Sequence, residues 1–194
     1  MRDYVRLTGV LLIVCVIAGA VLGATNYITE DKIAEQAVKA NDEARRSVMP
    51  QSKDFEKIEE DKVSEILSNA GYDSIREVYE AKSDGNIIGY AIKIAPKGYG
   101  GEVEVMVGVD SEGKVSGIKV GKNGETPGLG KNATTPRFQE QFNMKNWTDG
   151  VKVIKNGTPK DNEIVAIAGA TITSSAVTKG VNQALNLAKE LSGK

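Results

Sequence analysis

The chain has 194 residues, 25 Lys plus Arg against 26 Asp plus Glu, no histidine and one cysteine. That inventory excludes a cysteine–histidine zinc site, an iron–sulfur cluster with its usual set of cysteine ligands, and a serine or threonine nucleophile served by a histidine base. A formal net charge of −1 offers no basic face for nucleic acid.

Residues 7–29 carry no charge and are mostly Leu, Val, Ile, Ala and Gly, a run long enough to cross a hydrocarbon core of about 30 Å. Residues 1–29 therefore read as a single N-terminal transmembrane anchor. A cleaved signal peptide is the competing reading, because Ala18-Gly19-Ala20 and Leu22-Gly23-Ala24 offer small-residue cleavage sites, but the apolar run continues past both. Cys15 follows Ile13 and Val14 rather than the small residues expected before a lipidated cysteine, and reads as an ordinary apolar helix residue. Arg2 and Arg6 precede the span, and Glu30 and Asp31 follow it. The positive-inside tendency then puts the N-terminus in the cytoplasm and the rest of the chain outside. Gly19 and Gly23, with the alanines around them, leave room for close contact with a neighbouring membrane helix.

Residues 30–50 are rich in Ala, Glu, Lys and Arg, with Ile33, Ala37, Ala40, Ala44 and Val48 on one face. This predicts a helical stalk that Pro50 ends. Residues 51–194 form the expected domain. A second amphipathic helix is predicted over 54–70, carrying Ile58, Val63, Ile66 and Leu67 and stopping at Gly71. From 75 to 120 the pattern is β: 75–81, 87–94, 103–109 and 115–120 are separated by Asp84-Gly85-Asn86, a glycine-rich loop and Glu112-Gly113-Lys114, an antiparallel meander. The loop Gly98-Tyr99-Gly100-Gly101 is in the first place a flexible connection between strands.

In Glu125-Thr126-Pro127-Gly128-Leu129-Gly130-Lys131 the Pro-Gly pair predicts a type II turn. It is not a nucleotide-triphosphate P-loop: the glycine spacing is wrong, and Asn132 stands where a magnesium-binding Ser or Thr belongs. Pro136 opens a short helix bearing Phe138 and Phe142, and Trp147 follows; these aromatics read as core. Asn132, Asn146 and Asn156 each begin a glycosylation-type triplet, a pattern short enough to arise by chance. Strands are expected at 151–154 and 164–167. A final helix follows, with Val177, Val181, Ala184, Ala188 and Leu191 on one face. Thr171 sits at the strand-to-helix turn, with Thr173 or Ser174 expected as N-cap. By itself this is a capped helix after a core strand. A helix start also offers unpaired N–H groups and the positive end of a dipole to an anion such as phosphate, and Gly169 and Ala170 leave the approach open. The whole pattern predicts an α+β chain: one membrane helix, then an extracytoplasmic domain with a twisted, mainly antiparallel sheet flanked by helices.

The loop Glu125 to Gly130 and the stretch Gly169-Ala170-Thr171, in this order behind one hydrophobic N-terminal segment, resemble the FMN-binding domain family. That family includes the G subunits of Rnf electron-transport complexes and the related C subunits of sodium-pumping NADH:quinone reductases. The resemblance implies a flavoprotein subunit that relays electrons within an ion-translocating ferredoxin:NAD oxidoreductase. Its partners would be the other Rnf subunits and, during maturation, a flavin transferase. It implies FMN joined to Thr171 by a phosphoester bond, with Gly169, Ala170, Thr173 and Ser174 at the phosphate end. Glu125, Thr126, Gly128, Leu129 and Gly130 would flank the ring system. Lys131 or Lys155 would stabilise charge on the reduced flavin, and Tyr99 and Gly100 would come near the cofactor. Two positions depart from the family pattern: Ala168 stands where Ser or Thr is usual, and Val165 where Asp is usual. These departures bear on covalent attachment, since a phosphate can bind the same helix start without a covalent bond. The other readings are a C-type subunit of a quinone reductase and a flavin-free, membrane-anchored interaction module.

Overall fold

In the computed structural model, residues 2–59, 63, 66, 71–146, 148 and 150–193 are described. The chain divides into two compact units, Met1–Asn41 and Asp42–Lys194. Helix α1 runs from Arg2 to Val48. Its segment Tyr4–Val48 contains an 18-residue window of mean hydropathy 2.6, long and apolar enough to cross a membrane. The hydroxyls of Thr25 and Thr29 in this stretch donate back to the carbonyls of Val21 and Thr25, at 2.8 Å each. Their polarity is thus satisfied within the helix, as a hydrocarbon setting requires. Farther along, Glu35 pairs with Lys32 and Lys39 at helical spacing.

In the second unit the strands β1 (Asp54–Lys57), β2 (Ile75–Ser83), β3 (Asn86–Ile94), β4 (Val103–Asp110) and β5 (Val115–Asn123) form one sheet in sequence order, every neighbour antiparallel. Alternation sorts the side chains. Val103, Val105, Val107 and Val109 of β4 face one core with Tyr90, Ile92 and Ile94 of β3. Ala81, Ala91 and Met106 point the other way, onto Val48 and Met49. This second face needs small residues. A Cβ on Gly108 would lie 2.4 Å from the Val48 carbonyl oxygen, the same oxygen that accepts a hydrogen bond from the Ser116 hydroxyl.

The first face is covered by helix α2 (Pro136–Gln139) and by the long helix α3 (Thr171–Leu191). Phe138 and Phe142 meet edge to face, centroids 5.4 Å apart, inside the core. Strands β6 (Lys152–Ile154) and β7 (Glu163–Val165) pair in parallel as a separate small sheet, and β7 leads into α3. Val177, Val181, Ala184 and Ala188 are fully buried beneath α3, and Leu191 is partly buried, as the spacing predicts. Gly180 lets the helix approach closely, since a Cβ there would meet Ile94 Cδ1 at 2.5 Å.

Two expectations are corrected. Residues 54–57 are a strand, not the start of a helix: Ser52 donates to the Asp54 and Lys82 carbonyls, and the Lys53 N–H to the Lys82 carbonyl, which draws the segment onto the open edge of β2. Of the helix expected over the remainder, Val63 and Ile66 are helical, while 60–62, 64–65 and 67–70 lie outside the described residues; so does Trp147. The final helix begins at Thr171 with Ala170 as N-cap and no side-chain cap, one turn before the expected Thr173 or Ser174. Burying Val177, Val181, Leu185 and Leu187, about 1.5–3 kcal/mol apiece, outweighs the ~1 kcal/mol that a capping side chain would contribute.

One polar clamp joins β2 to α3. Buried Gln183 accepts hydrogen bonds from the N–H and hydroxyl of Ser74 and donates to Asp73. This bond first, and Lys179 second, hold the Asp73 carboxyl below its ordinary value. The Gln183→Ala variant should lose about 1–3 kcal/mol in chemical denaturation, because Ser74 is left buried and unpaired. Asp73 titrates lower in the folded chain than in the unfolded one, so its contribution is present at neutral pH and is lost as pH falls through the folded value. The gap between wild type and variant should therefore narrow on acidification.

Candidate functional site

A cavity of about 560 Å³ opens where the loop between β3 and β4, the loop after β5 and the start of α3 converge, a size within the range of small-molecule sites. Its floor is made by turns. Thr126–Leu129 closes with a hydrogen bond from the Leu129 N–H to the Thr126 carbonyl, 3.1 Å. Gly128 there has φ +78°, the type II turn that the Pro-Gly pair predicts. On the other side Gly169 has φ +73° and the Ala170 N–H bonds the Ile167 carbonyl. The chain thereby reverses into α3, with Gly169 and Ala170 the last two of the five residues between the end of β7 and Thr171.

The first turn of α3 is consequently bare. Thr171, Ile172 and Thr173 occupy its first three positions, whose N–H groups have no acceptor within the helix. Thr171 is half-buried on the cavity wall. Three large apolar side chains stand exposed around it: Tyr99 at 74%, Ile172 at 57% and Leu129 at 43%. An anion-favouring end beside an apolar rim suits a ligand with a charged tail and a flat, apolar body.

Glu125 is part of the wall and is only 5% exposed. One carboxylate oxygen accepts from the backbone N–H groups of Tyr99 at 2.8 Å and Gly100 at 3.0 Å, and the other from the Thr173 hydroxyl at 2.6 Å. Glycines close around it. A Cβ on Gly98 would lie 2.3 Å from Glu125 Oε1, and one on Gly130 would lie 2.2 Å from Oε2. The resemblance implies that Glu125 flanks the ring system; its carboxylate hydrogen bonds are to the chain itself.

Of the residues singled out in the sequence, Tyr99, Glu125, Thr126, Leu129, Gly130, Gly169, Ala170, Thr171 and Thr173 line the cavity. Gly128 shapes the turn without lining it, and Gly100 contributes its N–H to Glu125. Ser174 is fully buried: its hydroxyl accepts from the Ile167 N–H and donates to the Ala170 carbonyl, both 3.0 Å, which pins the turn before Thr171. Lys131 and Lys155 are exposed and are not among the lining residues. Ile172 lines the cavity and was not foreseen. Nor was Gln141, whose amide holds the Val165 N–H at 2.8 Å and the Val165 carbonyl at 3.3 Å, fixing β7 ahead of the turn.

Residues 98–186, which contain all of these loops, match the FMN-binding domain family. The chain is 40% identical over 189 residues to the G subunit of the Na(+)-translocating ferredoxin:NAD(+) oxidoreductase complex of Acetobacterium woodii, covering 94% of this chain and 90% of that protein. It is 34% identical over 183 residues to the proton-translocating counterpart of Clostridium ljungdahlii, with the same shares covered. Among solved structures, the C subunit of the Na(+)-translocating NADH-quinone reductase of Parabacteroides distasonis aligns with TM-score 0.52 and 26% identity, over 61% of this chain and 63% of that one. Shewanella oneidensis NqrC shares the fold, at TM-score 0.57 and 17% identity over 76% and 87% of the two chains. The chain belongs to the family of G subunits of ion-translocating oxidoreductase complexes.

The Gly130→Ala variant should be destabilised by about 1–3 kcal/mol, because its methyl group enters the Glu125–Thr173 hydrogen bond. Thermal unfolding of the flavin-free chain measures this.

Proposed function

We propose that this chain is a membrane-anchored, FMN-carrying electron-transfer subunit of an ion-translocating ferredoxin:NAD oxidoreductase complex of the Rnf type. The observation that carries the proposal is the uncapped start of α3, with the Thr171 hydroxyl on the wall of an apolar-rimmed cavity, in a chain that matches the FMN-binding domain. Bound FMN supplies reversible electron transfer; the chain supplies its seat and its electrostatic setting.

Magnitudes favour a tether. A helix terminus contributes roughly 0.3–1 kcal/mol toward a nearby charge, and 1.4 kcal/mol is about tenfold in affinity. The bare turn alone would thus strengthen phosphate binding about fivefold, or about 25-fold at the ~2 kcal/mol of a partly buried helix end. Retaining a redox cofactor through many turnovers needs more. A phosphoester bond between the Thr171 hydroxyl and the flavin phosphate provides it, with Tyr99, Leu129 and Ile172 against the ring system. In place of the family's usual Ser or Thr and Asp, Ala168 is exposed on the turn and Val165 is held at both backbone groups by Gln141. Neither residue is among those that line the cavity.

Helix α1 would hold the domain at the cytoplasmic membrane as a single pass. Arg2 and Arg6 at its start, against Glu30 and Asp31 after the apolar run, orient the N-terminus to the cytoplasm and the domain to the outside. The remaining subunits of the complex are then its partners, and a flavin transferase acts on it during maturation. A C-type subunit of a quinone reductase is the second reading. The 40% identity to the ferredoxin-linked protein, against 26% to the quinone-reductase protein, favours the first.

Produced together with the transferase, the wild-type chain should give a flavin-fluorescent band on a denaturing gel, and Thr171→Ala should give none. Fluorescence that persists in Thr171→Ala overturns the assignment of the tether. Flavin released from the wild type by denaturation replaces the tether with a non-covalent seat.

A further inference from the structure

We infer that Glu125 is a positioning residue, a buried carboxylate clasp that keeps the cavity assembled before any ligand enters and sets a fixed negative charge beside it. The inference rests on the flavin reading only for the consequence of the charge.

The clasp is read from its bonds. Glu125 joins two segments that the chain separates widely: the Tyr99–Gly100 backbone, at 2.8 and 3.0 Å, and Thr173 in the first turn of α3, at 2.6 Å. Removing the carboxylate leaves two backbone N–H groups without their acceptor and unties the β3–β4 loop from the helix that bears Thr171. The backbone around it is built to admit nothing else. Gly98 and Gly130 have no room for a Cβ against the carboxylate oxygens, and a Cβ on Gly100 would lie 2.2 Å from the Gly124 carbonyl oxygen. Gly98 and Gly130 are thus explained by the acid they enclose, and Gly100 by the backbone of the loop that carries it.

The charge is read from its partners. All three neighbours are hydrogen-bond donors, and no lysine or arginine forms an ion pair with Glu125 among the described residues. Its charge is balanced by N–H and O–H dipoles, not by a cation. A negative charge fixed next to a redox cofactor opposes the gain of electrons. Glu125 should therefore bias a flavin in this cavity toward its oxidised form.

The charge and the clasp can be separated. In Glu125→Gln the amide oxygen still accepts from Tyr99 and Gly100. The amide nitrogen donates to Thr173, whose hydroxyl can turn to accept. Glu125→Ala removes both functions. Hydrogen exchange on the full-length, flavin-free chain tests the clasp. The Tyr99 and Gly100 amides should exchange about tenfold or more faster in Glu125→Ala and near the wild-type rate in Glu125→Gln. Unchanged exchange in the alanine variant overturns it. Spectroelectrochemical titration of the flavin-loaded chain tests the charge: the midpoint potential of Glu125→Gln should be more positive than that of the wild type at equal flavin content. An unchanged or more negative potential overturns that half. A wild-type chain that takes up no flavin overturns the proposed function, while the exchange measurement still decides the clasp.

Discussion

The site depends on one arrangement: a carboxylate shut away from water, with three donors aimed at it from two distant segments. Burying an acid without a cation is unfavourable unless hydrogen bonds replace the water it loses. Here the replacements come from the β3–β4 loop and the first turn of α3, so satisfying Glu125 and assembling the cavity are the same event. Gly98 and Gly130 follow from it, because a carboxylate held this closely leaves no space for their Cβ atoms. Tyr99 can then stand exposed at the rim on a loop whose backbone is fixed.

The rest of the domain serves to hold α3 in register. Its apolar stripe is buried against β3 and β4, Gly180 sets how close it comes, and Gln183 ties it to the start of β2. Upstream, Gln141 fixes β7 and Ser174 pins the turn between β7 and α3. Thr171 therefore emerges from a backbone constrained on both sides. The helix can do without a capping side chain because its packing is ample, and that leaves its N-terminal N–H groups open toward the cavity.

Much of this was legible in the sequence. The valines of 103–109 alternate strictly, and the strand boundaries around them fall within a few residues of the expected ones. The stripe on the last helix announced its buried face, and the Pro-Gly pair its turn. Features that depend on tertiary context were not legible. Asp54–Lys57 reads as helical by local composition and becomes a strand because an open sheet edge lies beside it. Thr173 looks like a cap because its hydroxyl suits one; in the fold that hydroxyl is used by an acid 48 residues away in sequence. The family motif singles out Glu125, but only the packing reveals that its carboxylate is bonded to two distant segments of the chain. The exposed Ile172 and the Gln141 anchor carried no pattern of their own.

The central claim, a flavin phosphate seated at the start of α3, is tested most directly by peptide mass spectrometry on the chain isolated from its native membranes. Lysines at 160 and 179 bracket Thr171, so a tryptic peptide spanning 161–179 isolates it from the rest of the molecule. The account predicts that this peptide carries FMN less one water, with the added mass on Thr171. An unmodified peptide, from a chain that releases no flavin on denaturation, would contradict it.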